Sequence, residues 1–123
     1  MYRSCRWAAA LLLVVAAGCG QVLPPETDAG VARAALVAAL DAWKAGETPE
    51  SLEGRSPPVY IQDGAWARGA ALESYEVTVE GRSGLSVRFE VALVLRQEDG
   101  EERERVARYI VDAAQAVVIR PEQ

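Results

Sequence analysis

Between Asp28 and Ala45 the apolar residues fall at Ala32, Ala35, Leu36, Ala39, Leu40 and Trp43. Steps of three and four along one stripe predict an amphipathic helix. Thr27 or Asp28 supplies its N-cap, and Gly46 stands where a C′ residue is wanted. Thr48 to Gly54 reads as a second, shorter helix, with Thr48 as cap, Pro49 at its first position and Gly54 at its end. Ser56-Pro57-Pro58 forbids more helix and leads into a short strand, Val59-Tyr60-Ile61. Gly64 and Gly69 weaken any helix over Asp63 to Ala71, leaving a loop or a broken helix that carries Trp66.

From Leu72 the period becomes two. Tyr75, Val77 and Val79 alternate with acids and a threonine, and Leu85, Val87, Phe89, Val91, Leu93 and Leu95 mark one face of a long central strand. A three-residue loop at Arg82-Ser83-Gly84 pairs Val79 with Val87, Val77 with Phe89 and Tyr75 with Val91. A two-residue turn at Asp99-Gly100 pairs Leu93 with Val106 and Phe89 with Ile110, which sets Arg108 on the apolar face opposite Val91. A last turn at Ala113-Ala114 sets Ile110 opposite Val117. The other face then carries Ala92, Val94, Ala107, Tyr109, Val111 and Val118, an apolar surface that marks an interface unless the chain's own loops cover it. The pattern is an α+β plan: an N-terminal amphipathic helix packed on a curved antiparallel sheet of four to five strands.

The N-terminus follows a different rule. Arg3 and Arg6 precede eleven apolar residues, Trp7 to Ala17, and no acid occurs before Glu26. A membrane-spanning helix needs about 20 such residues. A basic start, a short apolar run and small residues at its end describe a secretory signal. Ala16-Ala17-Gly18 would serve as an ordinary cleavage site, yet Cys19 follows directly, and the segment resembles a bacterial lipobox with Ala16 in place of the favoured Leu. That resemblance implies a diacylglyceryl group on Cys19, removal of residues 1–18 and a lipidated tether over 19–26, with a single domain from 27 to 123. It implies an exported protein anchored by lipid to a membrane, at the outer membrane or the periplasmic face if the cell has two membranes; Gly20, not being Asp, favours the outer membrane in that case. Cys5 would leave with the signal, so Cys19 would be the one remaining sulfhydryl.

The mature chain would keep all 18 acids but, without Arg3 and Arg6, 11 of the 13 bases, a net charge of −7. Nucleic acid is bound by neutralising phosphates with Lys and Arg, so that charge argues against such a partner. It argues equally against a polybasic grip on anionic lipid.

No histidine occurs anywhere, which removes Ser-His-Asp and Cys-His catalysis and the usual zinc sites. No phosphate loop, EF-hand spacing or dinucleotide fingerprint is present, and no cofactor is expected. A carboxylate base in a pocket remains open as chemistry, with Asp63 or Asp41 as its candidate. Arg108 stands out, because a charge on the apolar face must be paired, line a pocket or snorkel to the rim. As a binding residue it would hold an anionic group or pair with Asp41 or Asp63 at a cavity mouth. Trp43, Tyr60, Trp66 and Tyr75 either line a pocket with Asp63 or belong to the core. The run Glu101-Glu102-Arg103-Glu104-Arg105 reads as a solvated strand edge.

Ala39-Leu40-Asp41-Ala42-Trp43-Lys44-Ala45-Gly46 is similar to the A-x-x-A-W-x-A-G-D first helix of the NTF2-like (cystatin-like) superfamily, and the element order over residues 28–120 resembles it too. The resemblance implies a helix in the concave face of the sheet, and dimerisation through the outer sheet face. It also implies a third helix near Asp63 to Ala71, where this chain has room for a short one at most. The superfamily holds enzymes, ligand pockets and dimerisation modules, so the fold implies no single activity. The expectation is a membrane-anchored, non-enzymatic interaction module whose outer sheet face meets a second copy or another protein. The alternative is a small-ligand pocket beneath the helix, lined by Arg108, Asp63, Trp66 and Tyr60.

Overall fold

The computed structural model describes residues 25–122, so the expected signal over 1–18, Cys19 and most of the expected tether lie outside the described residues. Helix α1 covers Ala29–Lys44. Asp28, extended at φ −67°, is its cap, and its carboxylate accepts from the Val31 N–H at 2.9 Å. Thr27 does not cap. It ties the helix start to the sheet, where its hydroxyl accepts from the Ala113 N–H and its own N–H donates to the Leu85 carbonyl. Gly46 at φ +84° closes the other end, with Gly46 N–H on Trp43 C=O and Glu47 N–H on Ala42 C=O, the paired bonds of a Schellman cap.

Pro49–Leu52 forms one 3-10 turn. The Thr48 side chain makes no cap bond there; instead the Thr48 carbonyl accepts from the Ser51 N–H and hydroxyl. Strand β1 is Val59–Ile61 and helix α2 is Gly64–Ala67, four residues ending before Gly69 at φ +90°. The remaining strands are β2 (Ala71–Ser83), β3 (Ser86–Arg96), β4 (Glu102–Ala113) and β5 (Val117–Pro121). They form one open five-stranded sheet in the order β1-β5-β4-β3-β2, antiparallel except where β1 runs parallel to β5. The molecule is an α+β domain with helices on one sheet face and an open face behind.

All three turns differ from the expected ones, each for a local reason. Between β2 and β3 the turn is Gly84-Leu85, with Gly84 at φ +61° in the first central position, where a II′ turn demands positive φ. Val77 therefore meets Val91 and Tyr75 meets Leu93, and bulges near Glu73 and Thr78 absorb the difference. The second bulge turns Val79 outward opposite Glu90.

The β3–β4 loop carries the larger correction. It has three residues, Glu98-Asp99-Gly100, closed by a bond from the Gln97 N–H to the Glu101 carbonyl, with Gly100 at φ +84°. The Asp99 carboxylate holds the turn by accepting from the Glu101 N–H. One residue more than the two-residue turn slips the register by one, pairing Leu93 with Arg105, Val91 with Ala107, Phe89 with Tyr109 and Val87 with Val111. A slip of one sends every side chain of the strand to the other face. Ala107, Tyr109 and Val111 therefore face inward, while Val106, Arg108 and Ile110 lie on the outer face, Val106 and Arg108 exposed and Ile110 buried. The last loop is Ala114-Gln115-Ala116, and it sets Val111 opposite Ile119 instead of Ile110 opposite Val117.

The helix-bearing face of the sheet is filled. Leu36 and Leu40 of α1 lie against Phe89, Val91, Leu93, Tyr109, Val111 and Ile119, all essentially without solvent contact. Leu52 from the 3-10 turn and the two tryptophans close the same core.

Candidate functional site

Asp63 stands at the junction of β1 and α2, and its carboxylate is 2 % exposed. Its φ of −142° keeps it extended, so that Oδ1 turns back to accept from the N–H groups of Ala65 and Trp66 at 2.9 and 3.1 Å. Oδ2 accepts from the Tyr109 hydroxyl at 2.5 Å and from Arg105 Nη2 at 3.2 Å. A β-turn's worth of helix is thereby pinned to the centre of the sheet through one side chain. Burial, followed by the neighbouring Asp63 carboxylate, raises the Tyr109 phenol well above its ordinary pKa. The hydroxyl stays a donor, and Asp63 has its acceptor positions taken up by four groups.

Trp66, one turn along, stacks on Trp43 with ring centroids 5.2 Å apart and planes 6° from parallel. Both indoles are satisfied: Trp43 Nε1 donates to the Ala70 carbonyl and Trp66 Nε1 to the Glu47 carbonyl. These rings are core, joining α1 to α2. Tyr75 donates to Asp41 Oδ1 at 2.7 Å, and burial together with that carboxylate pushes its pKa up to about 12.

The two remaining sequence candidates lie on the opposite side of the sheet. Tyr60, 45 % exposed, points outward from β1 between the inward Val59 and Ile61. Arg108, 54 % exposed, donates through Nε to Glu90 Oε1 at 3.0 Å and reaches neither Asp41 nor Asp63. Tyr60 faces outward by alternation along β1, and the slip in β4 explains Arg108: Arg105, not Arg108, shares the inner face with Asp63. Asp63 and Trp66 are brought together; Arg108 and Tyr60 are not with them. Sequence reasoning missed Tyr109 and Arg105 as the partners of Asp63. The signal was the cost of an arginine on the apolar face, which already spoke against that register.

On the outer face Glu90 also accepts from Arg88, Arg88 reaches Glu122, and Arg120 reaches Asp112. Beside this ladder lies an apolar strip of Val79, Ala92, Val94 and Val106, with Val106 57 % exposed and Val79 44 %. The expected outer surface is therefore kept at Ala92, Val94 and Val118 and loses Ala107, Tyr109 and Val111 to the inside; Val106 joins it, while Ile110 on the same face is buried.

Among the described residues no cluster of three His, Cys, Asp or Glu side chains is arranged to hold a metal ion. No helix among them is long and apolar enough to cross a membrane. No family model matches the chain, and no curated protein or solved structure matches it.

Proposed function

We propose that this chain is an exported lipoprotein, anchored through Cys19, whose domain acts without catalysis by pairing with a second copy through its outer sheet face. The NTF2-like superfamily is the fold group we assign it to, on the helix-first order and the Ala39–Gly46 segment. The observation that carries the pairing is the outward sequence of β4: Glu104, then Val106, then Arg108. A two-fold axis through Val106 lays Glu104 of each copy against Arg108 of the other and buries the exposed valines between them. Interfaces of this kind are self-complementary by symmetry. The filled helix-bearing face and the four occupied acceptor positions of Asp63 count against the pocket reading beneath the helix.

Two measurements test the two halves separately. Mass spectrometry of the protein taken from membranes should show Cys19 as the first residue, carrying a diacylglyceryl group; a chain cut elsewhere, with a free thiol, rejects the anchor. With Cys19 blocked by lipid, Val106→Cys introduces the one reactive thiol. Mild oxidation of membranes should then give a disulfide-linked dimer, whereas Val31→Cys on the exposed side of α1 should not. Equal cross-linking of the two variants rejects the outer face as the contact.

A further inference from the structure

Ten arginines lie among the described residues, and eight of them make an ion pair within the domain. The two that make none, Arg68 and Arg103, line the same hollow of about 690 Å³. This is notable in a chain with 18 acids, where an arginine without a carboxylate partner is the exception. The hollow lies on the helix-bearing face beyond the filled core, where the inward stripe of β4 changes from Val111, Tyr109 and Ala107 to Arg105 and Arg103. Leu95, directly across from Arg103, stays apolar and buried, and Ala65 and Ala70 continue the apolar wall.

Each arginine arrives by a different route. Arg105 is steadied by Asp63, whose other bonds fix it to α2. Arg103 projects from the strand two residues earlier. Arg68, the C-cap of α2, folds back along the helix so that a Cβ at Gly64 would meet its Nη1 at 3.0 Å.

We infer that this hollow binds a small organic monocarboxylate, its anionic head between Arg68 and Arg103 and its short apolar body against Leu95 and the two alanines. A planar guanidinium fork matches a carboxylate in geometry, and the apolar wall gives the body of such a ligand a dry surface. The single charge follows from the rim: Arg105 is already taken by Asp63, so Glu98, Asp99 and Glu104, which also border the hollow, face only Arg68 and Arg103, and a dianionic phosphate is disfavoured.

The test uses the full chain purified as the cell makes it, titrated calorimetrically with sodium hexanoate and, separately, with inorganic phosphate. Hexanoate should bind one per chain. Arg103→Gln and Arg68→Gln should each weaken that binding roughly tenfold or more, the scale of losing a hydrogen bond to a charged group. Arg33→Gln, an exposed arginine of α1 paired with Glu80, should leave it unchanged. Unfolding temperatures of all three variants should match the parent, so that a loss of binding is not a loss of fold. No hexanoate binding, binding indifferent to both hollow variants, or phosphate bound as tightly as hexanoate would each overturn the inference.

Discussion

The two faces of this sheet are built from the same strands and carry the same kinds of groups, yet they use them in opposite ways. On the helix-bearing face one carboxylate, Asp63, is buried and accepts from two backbone N–H groups, a phenol and a guanidinium. On the outer face Glu90 and Arg88 share a ladder with Arg108 and Glu122, every member of it open to water to some degree. In water a charged pair gains little, because the solvent already satisfies both partners. Inside, the same bond has no solvent substitute, so removing one partner leaves the others stranded. Counting ion pairs would rank the outer face first. The cost of breaking them ranks it last.

Asp63→Ala should therefore be the most damaging polar substitution in the domain. It removes the cap of α2, the acceptor of the Tyr109 hydroxyl and the partner of Arg105 in one step. We expect a loss of about 3 kcal/mol, adding a cap of about 1 kcal/mol to a charged hydrogen bond of about 2 kcal/mol. For a domain of this size the unfolding midpoint should fall by roughly 15 °C, read by circular dichroism. Asp63→Asn, which keeps an acceptor for the cap, should lose about half as much. If the alanine variant melts within a degree or two of the parent, the inner cluster is no more consequential than the outer ladder.

Next in size is Tyr109→Phe, at about 1 to 2 kcal/mol for a buried hydroxyl bonded to a carboxylate. It also has a signature in pH. The folded state raises the Tyr109 pKa above the unfolded value of about 10, so its contribution is complete below that pH and is lost as the pH climbs beyond it. Tyr75 behaves alike between about 10 and its raised value of about 12. The parent should thus lose stability above pH 10 in a chemical-denaturation series. Tyr109→Phe should start lower and decline less over that range, and a parallel decline in both would detach the alkaline limb from this phenol.

How far these features could be read in advance depended on whether the deciding interaction was local. Helix α1 was legible because its stripe, the Asp28 cap and the Gly46 stop all lie within one short stretch. The strands and their order along the chain were legible for the same reason. The faces of β4 were not. Val106, Ala107, Tyr109, Ile110 and Val111 make its second half apolar on both sides, so alternation there favours neither register. A loop of two or three residues then decides the matter, and Asp99-Gly100 fits either, as a whole turn or as the end of one. Asp63 was visible as a candidate, but its partners followed the misplaced strand, which turned Arg108 to the inner face and Arg105 away from it.

On the outer face the expected effects shrink. Glu90→Gln removes the negative charge shared by Arg88 and Arg108 but leaves an amide acceptor and both guanidiniums in contact with water, and Arg88 retains Glu122. The loss should stay below about 1 kcal/mol and fade in 1 M salt, where surface charges are screened. A loss as large as that of Asp63→Ala would erase the contrast between the faces.

Val106→Glu makes the comparison sharpest, because the two registers of β4 disagree about it most. With Val106 inside, opposite Leu93, an acid there would be buried without a partner and would unfold a marginal domain. With Val106 outside, opposite Ala92, the carboxylate stands in water, and a surface change of this kind moves stability by no more than about 0.5 kcal/mol. The measurement belongs at low protein concentration, since a variant that cannot pair loses the stabilisation that association adds by mass action. In dilute solution the variant should melt with the parent; at high concentration the parent alone should rise. An unfolded variant at every concentration would return Val106 to the core, and with it Arg108 to the inner face.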